Sequence, residues 1–422
     1  MNVTLSCGAR HGSVTAPPSK SDLHRKLICA ALADAPSKLL VSGLSDDISA
    51  TVRCLNALGA SISETADGVF VTPISQPPAH AVLDAGESGS TLRFLLPVCG
   101  ALGVSAELLL SGRLPQRPME PLIRVLSENG MKIERKNDVI SCSGKLQAGR
   151  FSLPGSVSSQ FLSGLLFALP LLAGESVLSV SLPLVSGSYF EMTKKIVSAS
   201  LLHPLFRLET ATDNCISCYV NPSNSYHVPA VGSIEADWSG AAAFACMGAL
   251  SETGISLCGL DRASLQPDRA IVDILLKAGA VVRAEKDRLF IKKGALRSFT
   301  FDAAPCPDLV PVLAVFACAC EGVSELYNAA RLRQKESDRL LAVSTLIKTL
   351  GGNAEQTPDG LRITGRPIHG GTVSSFSDHR IAMAAAVAAC IASSSVTVEG
   401  CEAVCKSYPS FWRDFETLKG AI

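Results

Sequence analysis

Residues 333–339, RQKESDR, place five charged side chains in a chain in which only 18% of residues are charged. They follow the apolar stretch 309–320 and open the next helical pattern, so Lys335 and Arg339 are expected in the first turn of a helix. The helix dipole disfavours cations there, and two cations are explained if an anion binds between them and the free N–H groups. The alternative is a solvated face on which Lys335, Glu336 and Arg339 neutralise one another. The segment alone leaves both interpretations open.

Other polar motifs recur at predicted helix starts. APPSKSDLHR leads into a predicted helix at 22–33, and the glycines of AGESGSTLRF allow the backbone to curve around an anion. The second motif is not a P-loop, because it lacks the GK[ST] ending. Taken singly, each Ser or Asp is explained as a helix N-cap, and His379 as part of a structural pair. The polar residues at these starts are Ser19, Lys20, Ser21, Arg25, Arg93, Arg117, Ser158, Ser159, Gln160, Ser186, Tyr189, Asp308, Asp378, His379, Arg380 and Lys406.

The charge balance requires any basic site to be local. The chain has 38 basic and 38 acidic residues among 422, so no global field attracts nucleic acid or a membrane. Lys and Arg nevertheless recur at positive helix ends. The collection of motifs therefore favours one convergent site for a polyanion.

The cysteines indicate a reducing compartment. Fifteen of them, an odd number, are scattered through apolar segments, which is typical of small buried side chains and not of a disulfide framework. Cys215 and Cys218 form a CxxC without a second pair at zinc spacing, so an alternating strand is favoured there. The start MNVTLSCG predicts a strand and no signal segment, and the longest apolar run, 161–173, is too short for a bilayer and is interrupted by Gly164 and Pro170. We expect a cytoplasmic protein, or a mature product whose targeting segment has been removed.

An internal repeat predicts the elements that position these motifs. Four segments share an amphipathic helix, a terminating Gly, a strand, an Asp eight residues after the Gly, and a second strand. The Gly is expected to stop the helix and the Asp to lie in a hairpin turn. The spacing is about 70 residues with a middle gap of about two periods, so a degenerate copy is expected near residue 203. A last unit ends at Gly420, with the N-terminal strand as its available partner. The four pairs are Gly59 and Asp67, Gly130 and Asp138, Gly279 and Asp287, and Gly351 and Asp359.

Six α/β units predict two domains of three units each. If the N-terminal strand completes the last unit, the chain crosses into the other domain at Pro17 and Pro18 and returns within 228–232. Two crossings predict a hinge, and two facing domains would bring the polar helix starts into one closing cleft. The predicted domains are 1–18 with 233–422, and the inserted 19–232, with hinges near 17–19 and 228–234.

The motifs SKSxxxR, GxSGSTLR, RPM, SVSSQF, LRxKESDR and DHRxAM resemble, in order along the whole chain, those of the 5-enolpyruvylshikimate-3-phosphate synthases. The resemblance implies an α/β fold with two domains, each of three βαβαββ-type units, six in total, joined by two crossover strands. It implies transfer of the enolpyruvyl group of phosphoenolpyruvate to the 5-hydroxyl of shikimate 3-phosphate, with release of phosphate, on the route to chorismate and the aromatic amino acids. The family acts without a metal or organic cofactor, and the resemblance implies a monomer.

The resemblance also assigns the polar residues to roles. Asp308 is expected near the 5-hydroxyl, Glu336 and Lys20 as the proton-transfer pair at the methylene carbon, and Arg93 and His379 in support. Both substrates carry phosphate and carboxylate groups, which suits the bidentate geometry of Arg. Shikimate 3-phosphate would be bound by Lys20, Ser21, Arg25, Ser158, Ser159, Gln160, Ser186, Tyr189, Asp308, Arg331 and Lys335. Phosphoenolpyruvate would be bound by Lys20, Gly89, Arg117, Gln160, Arg339, Arg380 and Lys406.

Three residues depart from the family pattern. Glu87 and Arg331 stand where Asn is common, and Phe94 replaces a Pro that often follows the loop Arg. These differences bear on the local geometry of the phosphoenolpyruvate pocket and on glyphosate sensitivity, but not on the reaction.

Two alternatives are a UDP-N-acetylglucosamine enolpyruvyl transferase and a non-catalytic homologue that binds phosphometabolites. The first typically has a reactive Cys in the region matching 112–119 and a Lys-Asn pair in the first motif. Here GRLPQRPM has no Cys, and Ser21 follows Lys20. The presence of Lys20, Asp308 and Glu336 together argues against the second.

Overall fold

The computed structural model describes residues 1–201, 206–212, 214–223 and 226–420. The chain divides into two compact units, which we call the terminal unit, Met1–Ser19 with Glu235–Ile422, and the inserted unit, Lys20–Ile234. Within the terminal unit, the two segments next to the connections, residues 17–19 and 235–237, pair with each other. Ser19 N–H donates to the carbonyl oxygen of Glu235 at 2.7 Å, and Asp237 N–H donates to that of Pro17 at 2.7 Å. Hinge motion at these connections stays a prediction.

The described residues contain twenty-four strands, most of them three to seven residues long. They are β1 Asn2–Leu5, β2 Arg10–Thr15, β3 Ser37–Leu40, β4 Ser61–Thr65, β5 Gly68–Thr72, β6 His80–Gly86, β7 Ser105–Leu110, β8 Lys132–Lys136, β9 Val139–Ser143, β10 Arg150–Pro154, β11 Ser176–Ser181, β12 Phe206–Thr212, β13 Cys215–Val220, β14 Val231–Ser233, β15 Ile255–Cys258, β16 Val281–Ala284, β17 Arg288–Lys292, β18 Thr300–Asp302, β19 Val323–Tyr327, β20 Asn353–Thr357, β21 Gly360–Thr364, β22 Gly371–Ser374, β23 Val396–Glu399 and β24 Lys419–Gly420.

The same residues contain twelve α-helices and six short 3-10 helices. The α-helices are α1 Lys20–Ala31, α2 Asp46–Ala57, α3 Gly89–Leu102, α4 Glu120–Glu128, α5 Ser159–Ala168, α6 Gly187–Ala199, α7 Trp238–Ala249, α8 Ile271–Lys277, α9 Val310–Ala317, α10 Arg339–Thr349, α11 His379–Ala389 and α12 Phe411–Thr417. The 3-10 helices are Leu114–Gln116, Leu169–Leu171, Pro267–Ala270, Pro307–Leu309, Ala330–Gln334 and Cys401–Lys406. The predicted α/β class is confirmed.

The described strands form six sheets, three in each unit, and each sheet combines a parallel pair with antiparallel pairing. β1 pairs antiparallel with β23, from Asn2 opposite Glu399 to Leu5 opposite Val396. The N-terminal strand therefore completes the last sheet, as predicted. The strand orders are β14-β3-β5-β4, β6-β7-β9-β8 and β10-β11-β13-β12 in the inserted unit, and β16-β17-β15-β2-β24, β18-β19-β21-β20 and β1-β23-β22 in the terminal unit.

The glycines of the four repeat pairs follow α2, α4, α8 and α10, and all have positive φ, from 78° to 104°. Glycine is favoured there because a Cβ is strained in the left-handed region. The paired aspartates lie in the turns β4–β5, β8–β9, β16–β17 and β20–β21, so both predictions are confirmed. In the degenerate copy, α6 ends at Ala199 and β12 pairs antiparallel with β13. Residues 202–205 and 213 of that copy lie outside the described residues.

Each unit has its own apolar core, in which the most deeply buried helices are α7, α9 and α11 in the terminal unit and α3 and α5 in the inserted unit. Gly164 lies within α5 and allows a close approach to α3, because a Cβ at Gly164 would lie 2.1 Å from the carbonyl oxygen of Arg93. Pro170 lies in the 3-10 helix that follows α5.

None of the fifteen cysteines, all of which lie in the described residues, forms a disulfide, and eleven are buried. Burial raises the pKa of most of the deeply buried thiols, for example to about 12 for Cys29 and Cys390, so they behave as small apolar side chains. The strand predicted at Cys215 and Cys218 is confirmed as β13. Among the described residues, no helix is both long and apolar enough to cross a membrane.

Candidate active site

The predicted site residues divide between the two units. In the inserted unit they lie at or near the starts of α1, α3, α5 and α6 and in the loop before α4. In the terminal unit they lie before α9, in and after the 3-10 helix Ala330–Gln334, at the starts of α10 and α11, and at the end of the 3-10 helix Cys401–Lys406. Helix starts thus carry most of the polar residues, as the sequence predicts.

Two predicted helix starts are wrong. α1 begins at Lys20, directly after Ser19, whose backbone N–H still donates to the carbonyl oxygen of Glu235. α10 begins at Arg339, because the side chain of Asp338 accepts a hydrogen bond from Leu341 N–H at 3.1 Å and caps the helix there. Lys335 therefore lies ahead of the helix, directly after the 3-10 helix, and only Arg339 lies in the first turn.

Arg25 is buried in α1 of the inserted unit. Its Nε donates to Thr193 Oγ1 at 2.7 Å, and its two Nη atoms donate to the carbonyl oxygens of Ser21 at 2.7 Å and Tyr189 at 3.2 Å. The guanidinium also lies over the rings of Phe94 and Tyr189, 5.2 and 5.8 Å from their centroids. Burial lowers the pKa of Arg25 to about 10, so it remains a cation at neutral pH. These contacts fix one positive charge beside α6.

Lys20, the first residue of α1, forms an ion pair with Asp47 in the first turn of α2. Lys20 Nζ lies 2.6 Å from Asp47 Oδ2, and the two side chains are only 18% and 9% exposed. The pair is therefore shielded from water, so it restrains the ammonium more firmly than a surface pair does. Sequence reasoning did not identify Asp47, since nothing near it marks a partner 27 residues away.

A chain of hydrogen bonds joins α1 and α2 to the start of α3. His24 Nδ1 lies 2.8 Å from Thr51 Oγ1, which is 2.7 Å from Thr91 Oγ1. Thr91 in turn donates to Ser88 Oγ at 2.7 Å, and Ser88 is the N-cap of α3. Burial lowers the pKa of His24 to about 3, so its ring is neutral. This series of hydrogen bonds holds the start of α3 in place without adding charge.

Gly89 lets two guanidinium groups approach the start of α3. A Cβ at Gly89 would lie 2.9 Å from Nη1 of Arg93 and 2.9 Å from Nη1 of Arg117. Arg93 Nη1 donates to Gln160 Oε1 at 2.6 Å, and Gln160 Nε2 donates to Ser90 Oγ at 2.9 Å, so α5 is joined to the same helix start. A helix N-terminus flanked by two cations is suited to bind an anion.

Arg117 is 9% exposed and follows the 3-10 helix Leu114–Gln116. Arg135 of β8 donates to the carbonyl oxygens of Pro115 and Arg117 and so attaches this loop to the sheet. The sequence contains no pattern that would have identified Arg135 as a supporting residue.

Ser158 and Ser159 lie at the start of α5, whereas Ser186 lies directly before α6 in an unusual backbone conformation. Ser158 caps α5, its Oγ accepting from Gln160 N–H at 3.3 Å, and Ser159 is the first residue of that helix. Ser186, directly before α6, has φ 52° and ψ 40°, a left-handed conformation that is uncommon outside glycine. Such strained positions cluster at functional sites.

Arg339 is the centre of the cluster in the terminal unit. Its Nη1 donates to Asp308 Oδ1 at 2.7 Å, and its Nη2 donates to Glu336 Oε2 at 2.7 Å and to Asp378 Oδ1 at 3.2 Å. Its Nε donates to Asp378 Oδ2 at 2.8 Å. The side chain is 2% exposed; burial lowers its pKa, but the three carboxylates outweigh burial and hold that pKa above its ordinary value. One guanidinium therefore holds two predicted catalytic carboxylates in fixed positions.

Asp308 remains ionised because cations surround it. Burial raises its pKa, but Lys335, Arg339 and Arg380 together hold that pKa well below its ordinary value. Lys335 Nζ lies 3.7 Å from Oδ1, and an Nη atom of Arg380 lies 3.9 Å from Oδ2. The side chain is 24% exposed, so one face of this carboxylate is accessible to a ligand.

Four further predicted residues lie in the terminal unit. Arg380 is in the first turn of α11 and donates through both Nη atoms to Ser239 at the start of α7. Arg331 donates to the carbonyl oxygen of Ala304 at 2.9 Å, and burial lowers its pKa although Asp308 opposes this. Both cations are thus anchored close to Asp308. The other two, His379 and Lys406, are buried and lie at the start of α11 and at the end of the 3-10 helix Cys401–Lys406.

Among the described residues, no group of three or more His, Cys, Asp or Glu side chains is arranged to hold a metal ion. Asp308 is instead surrounded by Lys335, Arg339 and Arg380, and Glu336 contacts Arg339. This arrangement is suited to acid–base chemistry on a substrate with several negative charges.

Comparison with known proteins identifies one family. The family model described as EPSP synthase (3-phosphoshikimate 1-carboxyvinyltransferase) matches residues 7–415. A protein of Clostridium beijerinckii named 3-phosphoshikimate 1-carboxyvinyltransferase is 37% identical over 435 residues, covering 100% of this chain and 98% of its own. A protein of the same name from Brachyspira hyodysenteriae is 36% identical over 431 residues and is covered completely.

Solved structures support the fold. The EPSP synthase of Acinetobacter baumannii matches with a TM-score of 0.80 at 24% identity, over 100% of both chains. The enolpyruvyl transferase NikO of Streptomyces tendae matches with a TM-score of 0.74 at 18% identity, over 99% of both. At these identities the two structures are evidence for the fold alone.

Proposed function

This chain belongs to the EPSP synthase family, and we propose that Asp308, Glu336 and Lys20 carry out its enolpyruvyl transfer. The reaction joins the enolpyruvyl group of phosphoenolpyruvate to the 5-hydroxyl of shikimate 3-phosphate and releases phosphate. The observation that carries the proposal is that Arg339 holds both Asp308 and Glu336, with 2.7 Å contacts to each.

The reaction is an addition followed by an elimination. The 5-hydroxyl oxygen bonds to C2 of phosphoenolpyruvate as the hydroxyl loses its proton and the methylene carbon gains one. The C2–O bond to phosphate then breaks, and the new methyl group loses a proton to restore the double bond. Each half therefore needs one group that accepts a proton and one that donates it.

We assign Asp308 to the 5-hydroxyl. Its carboxylate is ionised at neutral pH, so it accepts a hydrogen bond from the hydroxyl and orients the oxygen for attack. A carboxylate with such a low pKa is a weak base. Anionic substrates that bind to Lys335 and Arg380 would offset part of their charge and raise the pKa of Asp308 towards a more basic value.

We assign Glu336 and Lys20 to the proton of the methylene carbon. Arg339 and Asp47 fix the two side chains through the 2.7 Å and 2.6 Å contacts described above. Each contact restrains its side chain within its own unit, which reduces the conformational search that the side chain needs when substrate binds. The surrounding cations would stabilise the tetrahedral adduct, whose phosphate and carboxylate remain charged.

The anion-binding residues follow the same proposal. We infer that Arg25 and the serines bind shikimate 3-phosphate, since they cluster at the starts of α1, α5 and α6. We infer that Gly89 and Arg117 bind phosphoenolpyruvate with Arg339, Arg380 and Lys406. Four of the five N–H donors of Arg339 bond to carboxylates, which leaves one on Nη1 for a substrate oxygen.

A phosphate-release assay tests the reaction. We expect release only when phosphoenolpyruvate and shikimate 3-phosphate are both present. Release with UDP-N-acetylglucosamine as acceptor would contradict the proposal, and no release with either acceptor would favour a binding protein. No finding favours either alternative.

Arg117→Ala tests the phosphoenolpyruvate assignment. Losing one charge-assisted contact should raise the KM for phosphoenolpyruvate by about 10- to 100-fold, with a smaller change in kcat. Arg124→Ala is the matched control, because Arg124 is 61% exposed and its contact to Glu128 is 3.8 Å long. Steady-state kinetics with each substrate varied in turn gives both values. An unchanged KM for phosphoenolpyruvate would remove Arg117 from this role.

We propose that the chain acts as a monomer, which light scattering tests through the mass in solution. The free, mostly buried cysteines fit a reducing compartment such as the cytoplasm.

A further inference from the structure

We propose that Asp378 is a positioning residue that fixes the segment carrying Lys335 and Glu336. The inference deepens the proposed function, because it rests on the roles assigned to Glu336 and Asp308. None of the motif assignments gives Asp378 a role beyond that of a helix N-cap.

Asp378 is fully buried and accepts hydrogen bonds from three residues. Oδ2 accepts from Ser337 Oγ at 2.9 Å and from Arg339 Nε at 2.8 Å. Oδ1 accepts from Arg339 Nη2 at 3.2 Å and from Arg380 N–H at 2.9 Å. An N-cap needs only the last of these contacts. The other three join α11 to the start of α10 and to the segment before it.

Two of these partners, Ser337 and Arg339, follow Glu336 closely along the chain. Ser337 follows Glu336 directly, and Arg339 lies three residues after it. Asp378 therefore restrains the chain on the C-terminal side of Glu336, the predicted proton-transfer residue. Both partners are buried, at 5% and 1% exposure. Lys335 and Glu336 lie outside any helix or strand, between the 3-10 helix Ala330–Gln334 and α10. The contacts of Ser337 and Arg339 to Asp378 attach the residues that follow them to α11.

Asp378 also sets how the charge of Arg339 is shared. The charged and titratable groups around the guanidinium are Asp308 from the turn before α9, Glu336 and Lys335 from the segment before α10, and His379 and Arg380 from α11, with Arg331 near Asp308. Removing the charge of Asp378 leaves Arg339 shared between Asp308 and Glu336 alone. Both carboxylates would then be more strongly stabilised in their ionised form.

Asp378→Asn tests the proposal, with Asp338→Asn as the matched control. Asn still caps α11 but cannot accept from both Ser337 and Arg339 at Oδ2. We expect kcat to fall about 100-fold, since a misplaced catalytic group costs about that much. The acidic limb of the pH profile of kcat should move to lower pH by about 0.5 to 1 unit, because Asn removes a negative charge beside Arg339. Asp338 caps α10 in the same way but is 27% exposed, so Asp338→Asn should change kcat by less than about threefold without shifting the profile.

Ser337→Ala keeps the proposal testable if Asp378→Asn does not fold. It removes only the 2.9 Å contact to Asp378, and kcat should fall about 10-fold in a variant that thermal unfolding shows to be folded. A wild-type kcat in the variant that folds, or a lower kcat with an unshifted profile in Asp378→Asn, would overturn the proposal. Inactive wild-type enzyme in the same assay would instead count against the proposed function.

Discussion

Arg339→Ala should lower the free energy of unfolding by about 3–5 kcal/mol at neutral pH and abolish measurable turnover. The substitution leaves Asp308, Glu336 and Asp378 grouped without the cation that each contacts within 3.2 Å. Uncompensated carboxylates in a buried site repel one another and lose solvation. Urea unfolding followed by circular dichroism, together with the phosphate-release assay, measures both effects.

The pH dependence of this effect has a defined sign. The folded pKa of Asp308 lies below its unfolded value, so its contribution to stability is present above about pH 4 and is lost as the pH falls. The difference between wild type and Arg339→Ala should therefore shrink in acid. Arg362→Ala is the matched control, because Arg362 is 56% exposed and pairs with Glu325 at 3.6 Å, so about 1 kcal/mol or less is expected. Equal effects of the two substitutions at pH 7 would show that Arg339 does not hold the cluster together.

Glu336→Gln should lower kcat by about 100- to 10,000-fold while the KM for phosphoenolpyruvate changes little. Gln keeps the shape of the side chain and can still accept from Arg339, so the geometry is retained and the exchangeable proton is lost. Steady-state kinetics measures the split between kcat and KM, and thermal unfolding verifies that the fold is intact.

Glu325→Gln makes the same chemical change at a glutamate that has no proposed role in the reaction. Glu325 lies in β19, is 46% exposed and pairs with Arg362 at 3.6 Å, so its loss should not change kcat. A Glu336→Gln enzyme with near-normal kcat would remove Glu336 from proton transfer. A large rise in KM without a fall in kcat would assign it to substrate binding instead.

Local features were predictable because they depend on residues close in sequence. The repeat glycines identify helix ends since each needs positive φ, and the paired aspartates identify hairpin turns. The first β-strand was assigned to the last unit by counting periods, and its pairing with Val396–Glu399 agrees. The motifs also placed the polar residues at helix starts, where capping and the dipole favour them.

The exact helix starts were less predictable, because a competing local contact decides them. RQKESDR offers several polar residues that could begin a helix, and the sequence alone did not distinguish them. The side chain of Asp338 caps α10, so Lys335 lies ahead of the helix; Lys335 Nζ is 3.7 Å from Asp308 Oδ1. A shift of a few residues in the start of α10 thus changes which cations lie in its first turn.

The sequence by itself determined the family and the α/β class and supplied the candidates for the residues that bear the chemistry, because these follow from motifs and from periodicity. Only the tertiary structure decided how those residues are held. Asp378 meets Arg339 from 39 residues away, Asp47 meets Lys20 from 27 residues away, and Gly164 lets α5 approach Arg93. Such contacts arise when separate helices pack, and no local pattern in the chain encodes which buried carboxylate will face which cation.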